Sequence, residues 1–278
     1  MGIILILKII ILGIVEGITE WLPISSTGHM ILLDEFIKIN MSKSFMTMFL
    51  VVIQLGAIMA VVVIYWKKLW PMRKNSRGNN VFDKNKIILW KKIIVACLPA
   101  AILGLLMDDF LEAEFYNYKT VAVTLILYGI LFIVIENYNK KHGPRVTDVN
   151  DLSYKTAFII GMFQVLSLIP GTSRSGSTII GGILLGTSRT VAAEFTFFLA
   201  VPIMFGASLL KILKFGLAFT GTEIIVLVVG LITAFFTSVL AITLLLSYIK
   251  KHDFKVFGWY RIVLGILVIC YFTVVGVK

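Results

Sequence analysis

Apolar runs of about twenty residues recur along this chain and restrict the folds open to it. Residues 45–66, 120–135 and 224–249 are examples, and 59% of all residues are hydrophobic against 15% charged. Roughly 20 apolar residues are what an α-helix needs to cross the hydrocarbon layer of a bilayer. We therefore expect an all-α polytopic membrane protein. No small-residue cleavage site follows the first fifteen residues, so we expect this segment to be retained.

Charge is distributed between the apolar runs and predicts the orientation of the chain. The formal net charge is +11, and the basic connections are residues 67–92, 138–155 and 250–255. Basic connections of membrane proteins face the cytoplasm, which accounts for the charge without nucleic acid as a partner. Residues 108–114 are acidic, and we place this connection outside. Cys97 and Cys270 lie within apolar segments and have no spacing typical of a metal site.

Counting the crossings between these connections predicts two segments that do not cross. Residues 3–33 have to enter from outside and return there, and residues 156–187 have to do the same from the cytoplasm. Both are predicted to be re-entrant helical hairpins. Pro23 in the first segment and Pro170-Gly171 in the second would break the helices near the tips.

The two hairpins also resemble each other, which indicates an internal repeat. A shift of 148 residues superposes Gly13 on Gly161, Glu16 on Gln164, Ser25 on Ser173 and Gly28 on Gly176, and YGILFIV at Tyr128 resembles LGILVIC at Leu264. We expect a single membrane domain, residues 1–278, with repeats 1–138 and 150–276. Each repeat would be a hairpin plus three transmembrane helices, with the second repeat inverted. In such proteins broken helices meet near the midplane and form polar sites, so the two tips should meet.

The first hairpin carries the polar segment EGITEWLPISSTGHM, residues 16–30. Glu16 and Glu20 are four residues apart and therefore share one helix face. Two like charges there need a divalent cation, an arginine or a proton on one carboxyl group. Alternatively, both side chains lie in water at the outer end of a helix. Charged groups at membrane depth are costly, which makes this pair a functional candidate.

Hydroxyl groups and a histidine follow the carboxylates. Ser25, Ser26 and Thr27 precede a renewed apolar run, and one of them is expected to be an ordinary helix N-cap. The start of that helix also offers free backbone N–H groups to an anion. His29 is a candidate general base or a nucleophile towards phosphorus, or else an ordinary hydrogen-bonding residue near a helix start.

The second hairpin carries PGTSRSGST, residues 170–178, which has the composition of a phosphate pocket. Arg174 offers a planar bidentate donor, and Gly171 and Gly176 permit close approach of the backbone. Ser173, Ser175, Ser177 and Thr178 supply the hydroxyl groups. The alternative is a glycine-rich packing segment with an arginine that reaches the interface. No Walker-type lysine follows, so we do not expect a nucleotide. Together the two tips hold what hydrolysis of a phosphoanhydride on a lipid headgroup requires.

The two motifs, in this order and about 150 residues apart, resemble those of the undecaprenyl-diphosphate phosphatases, also called bacitracin-resistance proteins. VVIQLGA at 51–57 and EFTFFLAVP at 194–202 extend the resemblance along the chain. It implies a bacterial plasma-membrane enzyme that removes the terminal phosphate of undecaprenyl pyrophosphate for wall synthesis. It also implies an active site open to the outer face and a need for magnesium or calcium.

The resemblance assigns roles to individual residues. Glu16 and Glu20 would be the acidic, metal-binding motif, and Ser26 and His29 would be candidates for nucleophile or base. The predicted phosphate-binding residues are Arg174, Ser173, Thr27, Ser25, Ser175, Gly171 and Gly176. Leu50 departs from the family, which often has an acidic residue there, and leaves Gln54 as the nearest polar group. A flippase for the polyprenyl phosphate is the competing function, and homo-oligomerisation stays open.

Overall fold

The computed structural model describes residues 2–74, 78–140 and 143–275, and most of the described chain is helical. The helices are α1 Ile3–Thr19, α2 Ser26–Phe36, α3 Lys43–Val52, α4 Gln54–Ile64, α5 Trp66–Leu69, α6 Lys84–Phe115, α7 Tyr118–Asn139, α8 Tyr154–Val165, α9 Arg174–Leu184, α10 Arg189–Phe215, α11 Gly221–Ile249 and α12 Lys255–Val275. Two 3-10 turns, Val149–Asp151 and Leu166–Leu168, flank α8, and strands β1 Met72–Lys74 and β2 Asn80–Phe82 form a short antiparallel ribbon.

Six helical segments of the described chain are long and apolar enough to cross a membrane. They are Lys43–Ile64, Lys84–Met107, Tyr118–Asn139, Arg189–Phe215, Gly221–Ile249 and Lys255–Val275. The first of them is formed by α3 and α4 in succession. The prediction of an all-α, multi-pass membrane protein is confirmed.

One predicted connection is helical instead. Residues 108–114 were expected to link two crossings, but α6 continues through them to Phe115. Leu, Ala and Glu in this segment favour helix, and acidic residues do not end one unless a helix-breaking residue follows. The side chains of Asp108, Asp109 and Glu112 lie outside the described part of the structure.

Close packing at glycines brings the long helices together. The α7–α12 pair crosses at Gly129 and Gly258, where a Cβ added to either residue would lie 2.7 Å from the carbonyl oxygen of the other. A second crossing places Gly265 against the Ala122 carbonyl group. Without a hydrophobic drive between helices in lipid, small residues let helix backbones approach and gain dispersion contacts. This pair lies beside both helix breaks and supports them.

The two short helices α1 and α8 pack in the same way against different partners. Gly17 of α1 meets Thr237 of α11, and the Ser238 hydroxyl donates to the Gly17 carbonyl oxygen at 3.1 Å. Gly161 of α8 lies directly on the Ala96 main chain of α6. Each short helix is therefore held by one long helix along its length.

We expect Gly161→Ala to destabilise the protein. The added methyl group has to displace the Ala96 main chain, and overpacking of this kind costs about 1–3 kcal/mol. Gly206→Ala is the matched control, because no atom lies within 4 Å of its added Cβ and alanine favours helix by about 1 kcal/mol. Melting temperatures of both variants in detergent test the packing. An equal effect of the two substitutions would contradict it.

Candidate active site

Two breaks in the helices form the centre of the site. The first lies between α1 and α2, and the second follows the 3-10 turn after α8 and ends at α9. Each break ends on a serine with positive φ, 73° at Ser25 and 72° at Ser173. Each serine hydroxyl then accepts a hydrogen bond from a backbone N–H three residues later, from Gly28 at 3.3 Å and from Gly176 at 3.1 Å. Such backbone geometry costs of order 1–3 kcal/mol for a residue other than glycine and persists only where its surroundings hold it.

The two breaks contact each other, as the sequence led us to expect. The Ser175 hydroxyl donates to the main-chain oxygen of Glu20 at 3.2 Å and lies 3.4 Å from that of Leu22. The hydroxyl that was predicted to bind phosphate is therefore engaged in joining the two breaks.

A buried carboxylate, Glu20, connects the predicted residues of both motifs. Its Oε2 accepts a hydrogen bond from the Ser26 hydroxyl at 2.9 Å, and its Oε1 accepts one from Arg174 Nη2 at 3.1 Å. The other terminal nitrogen of Arg174 donates to the Thr196 carbonyl oxygen at 2.8 Å, and Trp21 packs beside the guanidinium group. Glu20, Ser26 and Arg174 thus form one hydrogen-bonded unit, below called the catalytic cluster because the sequence predicts a catalytic role for all three.

The positive ends of two helices lie at this cluster. Ser26 is the first residue of α2 and Arg174 is the first residue of α9. Because the first N–H groups of a helix have no partner within it, two such ends favour a negatively charged group in the same place. The geometry suits a phosphate group that carries more than one charge.

Glu16 lies one helical turn before Glu20 and is 2% exposed, so the alternative of a water-exposed pair is wrong. Its carboxyl group interacts with the side chains of Glu20 and Gln54, while its Oε1 is buried without a hydrogen-bond partner. A buried oxygen left unpaired in this way is available as a metal ligand. Position 50, where the family often has an acidic residue, is a leucine here, and the polar neighbour of Glu16 is Gln54 of α4.

The oxygen donors fit a cation that is shared with a substrate. In the described part of the chain, no group of three or more His, Cys, Asp or Glu residues is placed to hold a metal. Calcium takes six to eight oxygen ligands, whereas magnesium is commonly held by one or two carboxylates, water and substrate phosphates. The Glu16–Glu20 pair matches the second pattern.

His29 lies apart from the catalytic cluster. Its Nδ1 is 2.7 Å from the Ser25 carbonyl oxygen and its Nε2 is 2.6 Å from the Tyr260 hydroxyl, with the two rings stacked at 5.6 Å. Since the carbonyl group can only accept, Nδ1 carries the proton and Nε2 accepts from the tyrosine. Both ring nitrogens are therefore engaged, and neither is bonded to Ser26 or Glu20.

The two glycines that were predicted to bind phosphate have structural roles. Gly171, with φ 84°, lies against α7, where a side chain would collide with Thr124 and the Val121 main chain. Its role in the structure is close packing of the second break. The N–H of Gly176 already donates a hydrogen bond to the Ser173 hydroxyl.

Thr27 is half-buried beside the cluster. Its hydroxyl has no side-chain hydrogen bond with the described residues, so it is free to meet a ligand. Ser177 and Thr178 turn inward, where both hydroxyl groups donate to the Arg174 carbonyl oxygen at 3.1 and 2.8 Å.

Arg261 of α12 is a site residue that the sequence interpretation missed. It is fully buried, and it donates to the carbonyl oxygens of Pro23 at 3.2 Å, Gly171 at 2.7 Å and Thr172 at 2.9 Å. Its guanidinium group also lies 5.6 Å from the centre of the Tyr128 ring. A lone arginine within the last apolar run was the signal that could have found it, because ionisable residues within membranes are costly.

A groove between helices leads away from His29. A cavity of about 350 Å³ is lined by His29, Tyr260, Val15, Thr19, Ile18 and Leu22. Ile18 and Leu22, together with Val256 and Phe257, also line a neighbouring cavity of about 450 Å³ between α1, α11 and α12. This second cavity, below called the α11–α12 groove, has an apolar lining suited to a hydrocarbon chain.

We expect Arg261→Gln to lower the melting temperature, because carbonyl groups of both breaks lose their hydrogen-bond donor. Each buried carbonyl group left unpaired destabilises the fold by about 1–3 kcal/mol. Arg261→Lys should rescue little, since an ammonium group cannot span carbonyl oxygens on two segments as the guanidinium fork does. Thermal unfolding in detergent measures both effects. The exposed Arg73 supplies the control, Arg73→Gln, and equal melting temperatures for the two glutamine variants would refute the bracing role.

Comparison with known proteins identifies the family of this chain. The model of the family described as "Bacitracin resistance protein BacA" matches residues 9–267. A protein of Desulfitobacterium hafniense named undecaprenyl-diphosphatase is 63% identical over 99% of this chain and 100% of its own length. Proteins of the same name from Enterococcus faecalis and Lachnoclostridium phytofermentans are 62% and 61% identical, over 95% and 96% of this chain and 96% and 97% of their own lengths. With the family model and near full-length relatives in agreement, the chain belongs to the bacitracin resistance protein BacA family.

Proposed function

We propose that this chain hydrolyses undecaprenyl diphosphate to undecaprenyl phosphate and inorganic phosphate, and thereby confers resistance to bacitracin. The names of its relatives and its family support this activity. The observation that carries it is the Glu20 carboxylate held between the Ser26 hydroxyl and the Arg174 guanidinium group. A nucleophile beside a base that a third group orients is the arrangement typical of covalent catalysis.

In the first step, the Ser26 oxygen attacks the terminal phosphorus of the lipid diphosphate and Glu20 accepts the hydroxyl proton. The bond from that phosphorus to the bridging oxygen breaks, and the lipid monophosphate leaves with the proton, which Glu20 passes to the bridging oxygen and so becomes a base again. Arg174 and the N-termini of α2 and α9 stabilise the charge on the phosphoryl oxygens. Ser26 is favoured over His29 as nucleophile because only the serine is bonded to the carboxylate.

In the second step, water attacks the phosphoserine with Glu20 as base, and inorganic phosphate leaves as the serine hydroxyl is restored. Glu16 and Glu20 are the residues that would hold a divalent cation, which when bound neutralises charge on the diphosphate. His29, fixed by Tyr260, lines a cavity to which no residue of the catalytic cluster contributes, and we assign to it a role in positioning the lipid phosphate.

We further propose that two inverted repeats of a re-entrant hairpin and three crossings form the single membrane domain. The packing of the first helix of each repeat supports this, because each packs on a helix of the other repeat: α1 lies on α11, and α8 lies on α6. In the two repeats α1 corresponds to α8 and α6 corresponds to α11, so the two contacts are equivalent. At the α7–α12 crossing, Gly265 lies 136 residues after Gly129, and Ala122 lies 136 residues before Gly258. The Gly129–Gly258 and Gly265–Ala122 contacts are therefore equivalent under exchange of the two repeats. Basic ends of the helices then face the cytoplasm of a bacterial cell, and the site opens to the outer face.

Removing any member of the catalytic cluster should abolish most activity. For Ser26→Ala, Glu20→Gln and Arg174→Ala we expect release of phosphate from undecaprenyl diphosphate to fall by about 100-fold or more, which is typical for loss of one charge-stabilising or nucleophilic group. His29→Ala should lose less. The assay is phosphate release by purified protein in detergent.

Ser167→Ala is the matched control, because this hydroxyl lies in the second hairpin but donates to the Gln164 carbonyl oxygen. It should retain wild-type activity. Near-normal turnover by Ser26→Ala would exclude the covalent route and leave water as nucleophile, while full activity of Arg174→Ala would overturn the proposed function.

The metal assignment has its own test. Chelation by EDTA should stop phosphate release, and Glu16→Gln should raise the half-maximal magnesium concentration about tenfold, since weakening a ligand set typically costs 10–100-fold in metal affinity. Glu223→Gln removes a carboxylate that caps the start of α11 and serves as control. A Glu16→Gln magnesium titration that superposes on that of Glu223→Gln would show that Glu16 holds no cation.

A further inference from the structure

A basic pocket lies at the end of the bundle where α7 and α11 end and α10 and α12 begin. Its volume is about 570 Å³, and its lining includes Lys140, Arg189, Lys251, His252, Asp253 and Tyr248. In the described part of the chain, none of the residues that line it also lines the cavity beside His29. It is therefore a second polar site, separate from the catalytic cluster.

A buried ion pair holds one wall of this pocket in place. Arg189 donates through Nε and Nη2 to the two carboxylate oxygens of Glu136, at 2.9 and 2.5 Å. Glu136 is fully buried, and it also accepts from the Phe254 N–H at 3.0 Å. The remaining Nη1 of Arg189 has no hydrogen-bond partner among the described residues, so a fixed cationic donor remains available to the pocket.

The ammonium groups around the pocket are only weakly neutralised. Lys140 lies 3.7 Å from Asp253, which Lys255 also approaches at 3.9 Å. Lys251 lines the pocket with no carboxylate partner in the part of the chain that the structure describes. Guanidinium and ammonium groups set in this way bind phosphate through charge-assisted hydrogen bonds.

The pocket borders the apolar α11–α12 groove at one residue that lines both. This residue is Tyr248, and the groove then runs along α11 to Thr237. Eleven residues of helix correspond to about 16 Å, which is half of a bilayer's hydrocarbon thickness. An anionic head in the pocket would therefore have space for its chain along the inner half of the membrane.

The groove also adjoins the cavity beside His29, through Ile18, Leu22, Val256 and Phe257. A lipid whose chain occupies the groove thus ends close to His29. This continuity indicates a lipid of the class that the catalytic site releases, with one long chain and a phosphate monoester head.

We infer that the basic pocket is a second binding site for a long-chain lipid monophosphate, with the phosphate between Lys140, Arg189 and Lys251 and the chain in the α11–α12 groove. The class of lipid rests on the proposed function. The site itself rests on the pocket, its fixed arginine and the groove.

Native mass spectrometry of the full-length protein in detergent, with undecaprenyl phosphate as probe, tests the inference. We expect two lipids bound to the wild type, and one each to Arg174→Ala and to Lys140→Gln/Lys251→Gln. Losing charge-assisted contacts to phosphate should weaken the second site at least about tenfold. Lys211→Gln/Lys250→Gln removes the same charge outside the pocket, and should bind two lipids.

The lysine pair should leave phosphate release from undecaprenyl diphosphate at the wild-type rate. Leu244→Trp, which fills the groove at an exposed position, should also reduce binding to one lipid and thereby test the chain separately from the head.

Two lipids on Lys140→Gln/Lys251→Gln, or equal loss in the control pair, would overturn the inference. Equal binding of phosphatidylglycerol and undecaprenyl phosphate in the pocket would also overturn it, because the pocket would then be a general surface for anionic lipids. Displacement of the lipid by an equal concentration of inorganic phosphate would overturn it as well, because the pocket would then be a site for free phosphate. An Arg174→Ala variant that loses no lipid, beside a lysine pair that loses one, would instead contradict the catalytic site and leave this pocket standing.

Discussion

Backbone groups exposed by two broken helices have to be hydrogen-bonded within the protein, because hydrocarbon offers no partner for them. The structure meets this requirement with side chains from elsewhere in the fold. Arg261 donates to carbonyl oxygens of both breaks, Thr124 donates to Pro170, and Ser175 donates to Glu20. The site exists because α7 and α12, closely packed at glycines, carry Thr124 and Arg261 to the point where the breaks meet.

The same arrangement explains how charges are tolerated at this depth. Glu20 is ionically paired with Arg174, and its carboxylate also accepts a hydrogen bond from Ser26, the first residue of α2, whose positive end favours an anion. Removing one partner from a buried ion pair leaves an uncompensated charge, so Glu20 and Arg174 each depend on the other to remain ionised and buried. In the proposed mechanism, a diphosphate head that enters would bind part of the arginine and free the carboxylate to accept the Ser26 proton.

Several features were predictable because they depend on local composition. The six apolar segments, the breaks at Pro23 and Pro170, and the placement of Glu20, Ser26 and Arg174 in one cluster agree with expectation. Residues 108–114, expected only as a connection between two crossings, are helical because residue propensity continues α6 to Phe115. Arg261 and Tyr260 were missed, since nothing within α12 indicates which partners lie opposite.

The sequence alone determined that the chain is a helical membrane protein and which residue types provide its chemistry, because hydropathy and helix breaking act over a few turns. Only the tertiary structure decided their division of labour. Ser25 and Ser173 cap helices, Ser175 joins the breaks, His29 faces Tyr260, and Ser26 alone of these meets the carboxylate. The reason is physical: a hydroxyl bonds to whatever lies within about 3 Å, and packing between distant helices sets that neighbour.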